Sequence, residues 1–221
     1  MSTPSSVKVG VFDSGVGGLS MANAIRAALP DAEILLRQDS QHVPYGLRPP
    51  TEILDFVLPI FQELVDAGCQ VIVVACNTVT TTLITELRAH FSVPLVAVEP
   101  MIKPAAALTK TKVIAVCATP TTLASPRYAE LKKRYAADLT VLEPDCSDWA
   151  AMIERKQVDQ AAIAERINDV LTQHADVIVL ACTHYHWIED EIRQLAADRA
   201  RVLQPEQPII EQLKRVLAQL P

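Results

Sequence analysis

The chain has 221 residues, half of them hydrophobic, and a formal net charge of −6. That length allows one large domain or two small ones with a sizeable core, and the acidic balance argues against a nucleic-acid or membrane-surface binder, which needs a basic patch. The apolar runs are strand-length, well short of the ~20 residues of a membrane span, and Met1-Ser2-Thr3-Pro4-Ser5-Ser6 lacks the basic start and apolar core of a signal peptide, so a cytoplasmic protein is expected.

In chain order, Val7 to Phe12 reads as a strand and Asp13-Ser14-Gly15-Val16-Gly17-Gly18 as a tight loop into a helix over Leu19 to Ala28. Glu33 to Arg37 is a second strand, followed by a polar loop, Asp39 to Gly46. Thr51 is expected to cap a helix running to Ala67. Cys69 to Ala75 is a third strand and Thr78 to His90 a helix. Leu95 to Val98 is a short strand, Pro100 to Thr109 a short helix, and Lys112 to Cys117 a strand. Ala118-Thr119-Pro120-Thr121-Thr122 opens one helix through Tyr135. Leu139 to Glu143 is a strand, then come helices over Asp148 to Arg155 and Asp159 to Gln173. Val177 to Ala181 is a strand, Trp187 to Ala197 a helix, Arg201 to Leu203 a strand and Ile209 to Gln219 a last helix. Strands alternating with helices predict α/β architecture with parallel sheets. Two similar lobes are expected: an N-terminal one over 1–94 plus 205–221, and a C-terminal one over 95–204.

Two stretches echo each other. Val71-Ile72-Val73-Val74-Ala75-Cys76-Asn77-Thr78 is an apolar run that ends in a thiol and two small polar residues. Val177-Ile178-Val179-Leu180-Ala181-Cys182-Thr183-His184 repeats the pattern about half the chain later. Parallel α/β sheets bind ligands beyond the carboxyl ends of their strands, so each half offers one thiol to a shared substrate. The five cysteines include no close pair and read as thiols rather than disulfides. Either cysteine alone is better read as a buried apolar strand end. As a pair with matching flanks, they suit proton transfer at a carbon next to a carboxylate, with a base on one face and an acid on the other.

Other features are less specific. Asp13-Ser14-Gly15-Val16-Gly17-Gly18 could bind a carboxylate through backbone amides. A dinucleotide loop is disfavoured, because its third glycine would fall at Ser20. Pro44-Tyr45-Gly46 reads as an ordinary turn. Asn77, Thr78, Thr183 and Thr119 to Thr122 offer short polar groups, each also a normal helix cap. Cys182, His184 and His186 alternate as zinc ligands would in an extended segment, but no fourth ligand is apparent, and no metal is expected. His184 reads as an acid–base partner or orienter for Cys182, His186 as a surface or cap residue, and Glu154 as a solvated helix charge.

Together, Val11-Phe12-Asp13-Ser14-Gly15-Val16-Gly17-Gly18-Leu19, Val43-Pro44-Tyr45-Gly46, Val73-Val74-Ala75-Cys76-Asn77-Thr78 and Leu180-Ala181-Cys182-Thr183-His184-Tyr185 resemble the glutamate racemases of the aspartate/glutamate racemase superfamily. Ile102-Lys103-Pro104-Ala105-Ala106 and Ala118-Thr119-Pro120-Thr121-Thr122 add weaker support. The resemblance implies two α/β lobes related by a pseudo-two-fold axis, and cofactor-independent interconversion of L- and D-glutamate for peptidoglycan. It implies that Cys76 acts on the D-isomer and Cys182 on the L-isomer, with Asp13 assisting Cys76, His184 assisting Cys182, and Glu154 near that histidine. Asp13, Ser14, Pro44, Tyr45, Gly46, Asn77, Thr78, Thr122, Thr183 and His184 would bind substrate. His184 after Cys-Thr favours the glutamate branch; a racemase of another small carboxylate such as aspartate, or an impaired amino-acid-binding relative, is the alternative. A homodimer is compatible with the reading. Departures gather in the second lobe: Ala181 and Ala118 stand where glycine is usual, His186 for a proline, Cys146-Ser147 for Cys-Pro, and Gln204-Pro205 for Asp-Ser. The segment before residue 7 is too short for the extension that some relatives use for activation by a cell-wall precursor, so no such activation is expected.

Overall fold

The computed structural model describes residues 7–220, so the signal-peptide reading of Met1 to Ser6 lies outside the described residues. The first lobe is built from β1 (Lys8–Asp13), α1 (Gly17–Ala28), β2 (Glu33–Gln38), α2 (Pro50–Asp66), β3 (Val71–Val74), α3 (Asn77–His90) and β4 (Leu95–Ala97). Its strands form a parallel sheet in the order β2-β1-β3-β4. The second lobe comprises α4 (Ile102–Leu108), β5 (Val113–Ala118), α5 (Pro120–Leu123), α6 (Pro126–Tyr135), β6 (Thr140–Leu142), α7 (Trp149–Glu154), α8 (Gln160–Thr172), β7 (Val177–Ala181), α9 (Glu189–Ala196) and β8 (Arg201–Leu203). Its parallel sheet runs β6-β5-β7-β8, the same topology again. The expected fold of two similar parallel lobes is therefore what the chain adopts.

The central strands are apolar on both faces because both faces are covered by helices. In the first lobe, Phe12, Ile72 and Val74 pack with Ile53, Val57 and Phe61 of α2 on one face. Val9, Val11, Val71 and Val73 pack with Met21 and Ile25 of α1 on the other. The second sheet is layered likewise, with Ile178 and Leu180 facing Ile163 and Ile167, and Val177 and Val179 facing Tyr128 and Leu131. Each fully buried side chain of this kind contributes about 1.5–3 kcal/mol.

Four boundaries differ from the sequence expectations. The break at residue 94 would put Leu95–Ala97 in the second lobe, but β4 pairs with β3 in the first sheet, anchored by Ile72 N–H to the Pro94 carbonyl at 3.0 Å. The final helix α10 (Glu206–Leu217) begins three residues before the expected Ile209, and it packs Ile209, Ile210 and Leu213 against Val9 and Val71 of the first sheet, the lobe in which 205–221 was expected. Thr51 is not the cap of α2: the helix begins at Pro50, after Pro49, where a proline loses no hydrogen bond because the first N–H groups of a helix are unpaired anyway. The single helix expected through Tyr135 is two, because Ser125 is extended and its hydroxyl caps the Tyr128 N–H at 3.2 Å, with Pro126 restarting the helix. Between β7 and α9 the chain forms a 3₁₀ segment, Thr183–Ile188.

Candidate active site

In each sheet the chain turns in opposite directions from two adjacent central strands, β1 and β3 in one lobe and β5 and β7 in the other. A crevice opens beyond such a switch point, and the two crevices face each other. Asp13 ends β1, with Ser14 and Gly15 following. Cys76 follows β3 and leads into α3. Thr119 follows β5 and caps α5, and Cys182 follows β7 at the head of the 3₁₀ segment.

Both thiols lie on the wall of one cavity, with Ser14, Pro44, Tyr45, Gly46, Asn77 and Thr78 from the first lobe and Thr183 and His184 from the second. Thr119, from the polar Thr119 to Thr122 cluster, and Ala150, which nothing in the sequence had singled out, complete the wall. The cavity measures about 10 Å³, room for roughly one water molecule. An amino acid therefore needs the cavity to widen.

Three sequence candidates stand behind the wall instead of on it. Asp13 is fully buried, accepting from Thr183 Oγ1 at 3.0 Å and from the Gly15 N–H at 3.3 Å. Glu154 sits behind His184. Thr122 is fully buried and holds two other threonines: Thr119 Oγ1 donates to it at 3.0 Å, and Thr78 Oγ1 lies 3.4 Å away. It is Thr119, directly after β5, and not Thr122, within α5, that reaches the cavity.

On the first-lobe side, Cys76 Sγ lies 3.5 Å from Ser14 Oγ. Burial pushes this thiol up, and the neighbouring Asp13 charge adds to it, to about 12. Burial also raises Asp13 above its ordinary range, against the opposing pull of the His184 charge and the Thr183 hydrogen bond. Burial is the larger cause for both groups, so Cys76 is a thiol at neutral pH whether or not Asp13 is ionised. Asn77 is 2% exposed, and neither its amide oxygen nor its nitrogen has a partner among the described residues. Such a group costs about 1–3 kcal/mol unless something pairs with it, which suits a wall residue that binds a polar ligand.

The second-lobe side carries the opposite charge. His184 Nδ1 lies 3.8 Å from Cys182 Sγ, and its Nε2 lies 2.6 Å from Glu154 Oε1. Burial on its own lowers His184, but the hydrogen bonds with Cys182 and Glu154 outweigh it and hold the ring up at about 10. Burial would raise Glu154, yet the His184 and Val16 hydrogen bonds hold it below its ordinary value. At neutral pH His184 is thus a cation between a carboxylate and a sulfur, the counter-charge a thiolate needs. His186 is not a surface residue: its ring is nearly buried and lies 3.3 Å from Glu189 Oε2. The 3₁₀ turn removes the in-line alternation that would have set Cys182, His184 and His186 on one side.

The lobes are stitched together around the cavity. The Val16 N–H donates to Glu154 Oε1 at 2.9 Å, and Thr78 Oγ1 lies 3.0 Å from Thr119 Oγ1. Glycine is required where the backbones meet. A Cβ on Gly15 would collide with Glu154 and His184, one on Gly17 would lie 2.6 Å from Thr183, and one on Gly46 would lie 2.5 Å from Thr119. Tyr45 is held from behind, its hydroxyl donating to Asp39 Oδ2 at 2.6 Å. Asp39 also lies 2.8 Å from His42 Nδ1, and the His42 ring stacks on Phe56 with centroids 3.8 Å apart.

The arrangement matches known proteins along nearly its whole length. The family model described as Asp/Glu/Hydantoin racemase covers residues 19–213. Glutamate racemase from Ralstonia pickettii is 40% identical over 99% of this chain and 79% of its own length. That from Methylococcus capsulatus is 38% identical over 95% of this chain and 79% of its own. Among solved structures, Escherichia coli glutamate racemase, in complex with L-glutamate and the activator UDP-MurNAc-ala, superposes with a TM-score of 0.87 at 30% identity, covering 97% of this chain and 83% of that one. With the family model spanning most of the chain and these relatives agreeing, the chain belongs to the Asp/Glu/Hydantoin racemase family, and within it to the glutamate racemases.

Proposed function

We propose that the chain interconverts L- and D-glutamate without a cofactor, using Cys182 and Cys76 as the two proton-transfer groups. The observation that carries this reading is one cavity with both thiols on its wall, Cys76 beside the buried Asp13 and Cys182 against the buried His184. A thiolate at Cys182, paired with the His184 cation, takes the α-proton of L-glutamate and becomes a thiol. The Cys76 thiol gives its proton to the opposite face and becomes a thiolate. The reverse sequence converts the D-isomer. Asp13 assists Cys76, and Glu154 keeps His184 charged and oriented. Asn77, with its unpaired amide, and Ser14, Tyr45, Gly46, Thr78 and Thr183 hold the substrate's polar ends. The D-glutamate formed supplies peptidoglycan synthesis in the cytoplasm.

The test is incubation of either enantiomer in deuterated water with no added cofactor. Both should converge on the racemate, with deuterium at Cα of the product. A wide preference for aspartate in kcat/KM would move the substrate assignment to that amino acid. Tight glutamate binding with no exchange at Cα would make the chain a binding protein instead.

A further inference from the structure

Thr121 lies in α5 and takes no part in the cavity wall. Its hydroxyl donates across the cleft to the Gly46 carbonyl at 2.8 Å, with the Arg48 carbonyl also in reach at 3.4 Å. The Gly46 carbonyl lies within the short 3₁₀ turn Tyr45–Leu47 of the first lobe and the Arg48 carbonyl just after it, and Tyr45 and Gly46 of that turn face the cavity. Within its own lobe, this segment is held by the Tyr45 hydroxyl on Asp39 and by Arg48 Nε on the His42 carbonyl, both at 2.6 Å. Across the cleft, Thr121 provides the side-chain hydrogen bond to its backbone, while Gly46 rests directly against Thr119.

We propose that Thr121 is a positioning residue whose hydroxyl clasps the substrate-facing Tyr45–Gly46 segment to the second lobe and so sets how firmly that side of the cleft stays shut. The clasp is a claim about the unliganded protein; only its kinetic consequence rests on the racemase reading. Thr121 touches neither the cavity nor the two sulfurs. With the cleft closed again around the substrate, the clasp is an interaction that the bound ground state and the transition state share, so its loss should weaken substrate binding without slowing proton transfer, which raises KM and leaves kcat. A neutral hydrogen bond of this kind shifts an equilibrium by roughly two- to tenfold.

The experiment compares Thr121→Val, which keeps the shape and loses the donor, with Thr121→Ser, which keeps the donor. Amide hydrogen exchange over residues 45–48 should be roughly two- to tenfold faster in Thr121→Val and unchanged in Thr121→Ser. KM for glutamate should rise by a similar factor in Thr121→Val alone, with kcat within about twofold of the parent. If Thr121→Val does not fold, Thr121→Ala is the second variant and should show the same exchange change. Unchanged exchange in the variant lacking the hydroxyl, equal loosening in Thr121→Ser, or a fall in kcat at constant KM overturns the proposal. If the parent protein does not racemise glutamate, the racemase reading fails while the exchange result still decides the clasp.

Discussion

The two half-sites share a backbone plan and differ in charge. Each is a parallel strand, a cysteine at its end and a helical turn after it. Yet Cys76 is surrounded by burial, a serine and a carboxylate, while Cys182 faces a cationic imidazole held by Glu154. Repetition of the fold supplied two equivalent positions, and the side chains around them made the positions unequal. The difference teaches that the resting protein is already poised, with a thiol on one side and the counter-charge for a thiolate on the other. On the proposed scheme each turnover leaves Cys182 protonated and Cys76 deprotonated, so both sulfurs must exchange protons before the same direction can run again.

The largest expected effect breaks the pair. Cys76→Ala and Cys182→Ala should each reduce racemisation in both directions by at least ~10²-fold. The unequal charges make a finer forecast. On the proposed scheme Cys76→Ala keeps Cys182 beside the His184 cation, so it should still wash the α-hydrogen of L-glutamate into deuterated water without inverting it, whereas Cys182→Ala should not. Proton NMR of the Cα signal reads this, and equal wash-out in the two variants would erase the asymmetry. Next comes His184→Asn, which removes the counter-charge and should cost roughly 10²–10⁴-fold. The enantiomers have equal free energy, so kcat/KM must fall equally in both directions, and a steady-state assay in which it did not would point to an error in the scheme. The discriminating readout is again wash-out from the L-isomer, which should fall with His184.

The smallest effect is on stability. His184 titrates at about 10 in the folded chain against 6.5 ordinarily, so its stabilising contribution is complete below pH 6.5 and is lost as pH rises through about 10. Cys76 titrates at about 12 against 9.0, so its contribution is complete below pH 9 and fades towards pH 12. Tm should therefore fall from pH 7 to pH 10, and His184→Asn should flatten this lower window while leaving the upper one. A Tm of the parent chain that is level across pH 7 to 10 would contradict a charged His184.

Much of this was legible in the chain because strand ends advertise themselves. The apolar runs of β3 and β7 stop at a cysteine, and the pattern repeats, so the two-lobed fold and the wall positions of Cys76 and Cys182 follow from local sequence. What local sequence does not carry is which partner a segment chooses. Pro94 looks like a divide, yet its carbonyl helps to hold β4 against β3, a pairing set by tertiary contact. The choice between Thr119 and Thr122 depends on where β5 ends and a four-residue helix begins. Glu154 reads as a solvated helix charge until the fold brings the Val16 amide and His184 to it from segments far apart in the chain. Ala150 has no polar atom to mark it, and only the course of α7 puts it on the wall.

The glycines at 15, 17 and 46 bear on how this cleft could be redesigned. Each first-lobe glycine abuts a second-lobe residue, so any side chain placed there becomes a wedge that props the halves apart. Changes at Gly15 or Gly17 would alter the gap and leave the lining as it is, and a change at Gly46 would do both. A variant intended to admit a bulkier amino acid is better sought across the cleft, at Thr119→Ser or Ala150→Gly, where atoms can be taken from the wall. For a directed-evolution library, the first lobe's contact glycines are positions to hold fixed, and the second lobe's wall is where diversity belongs.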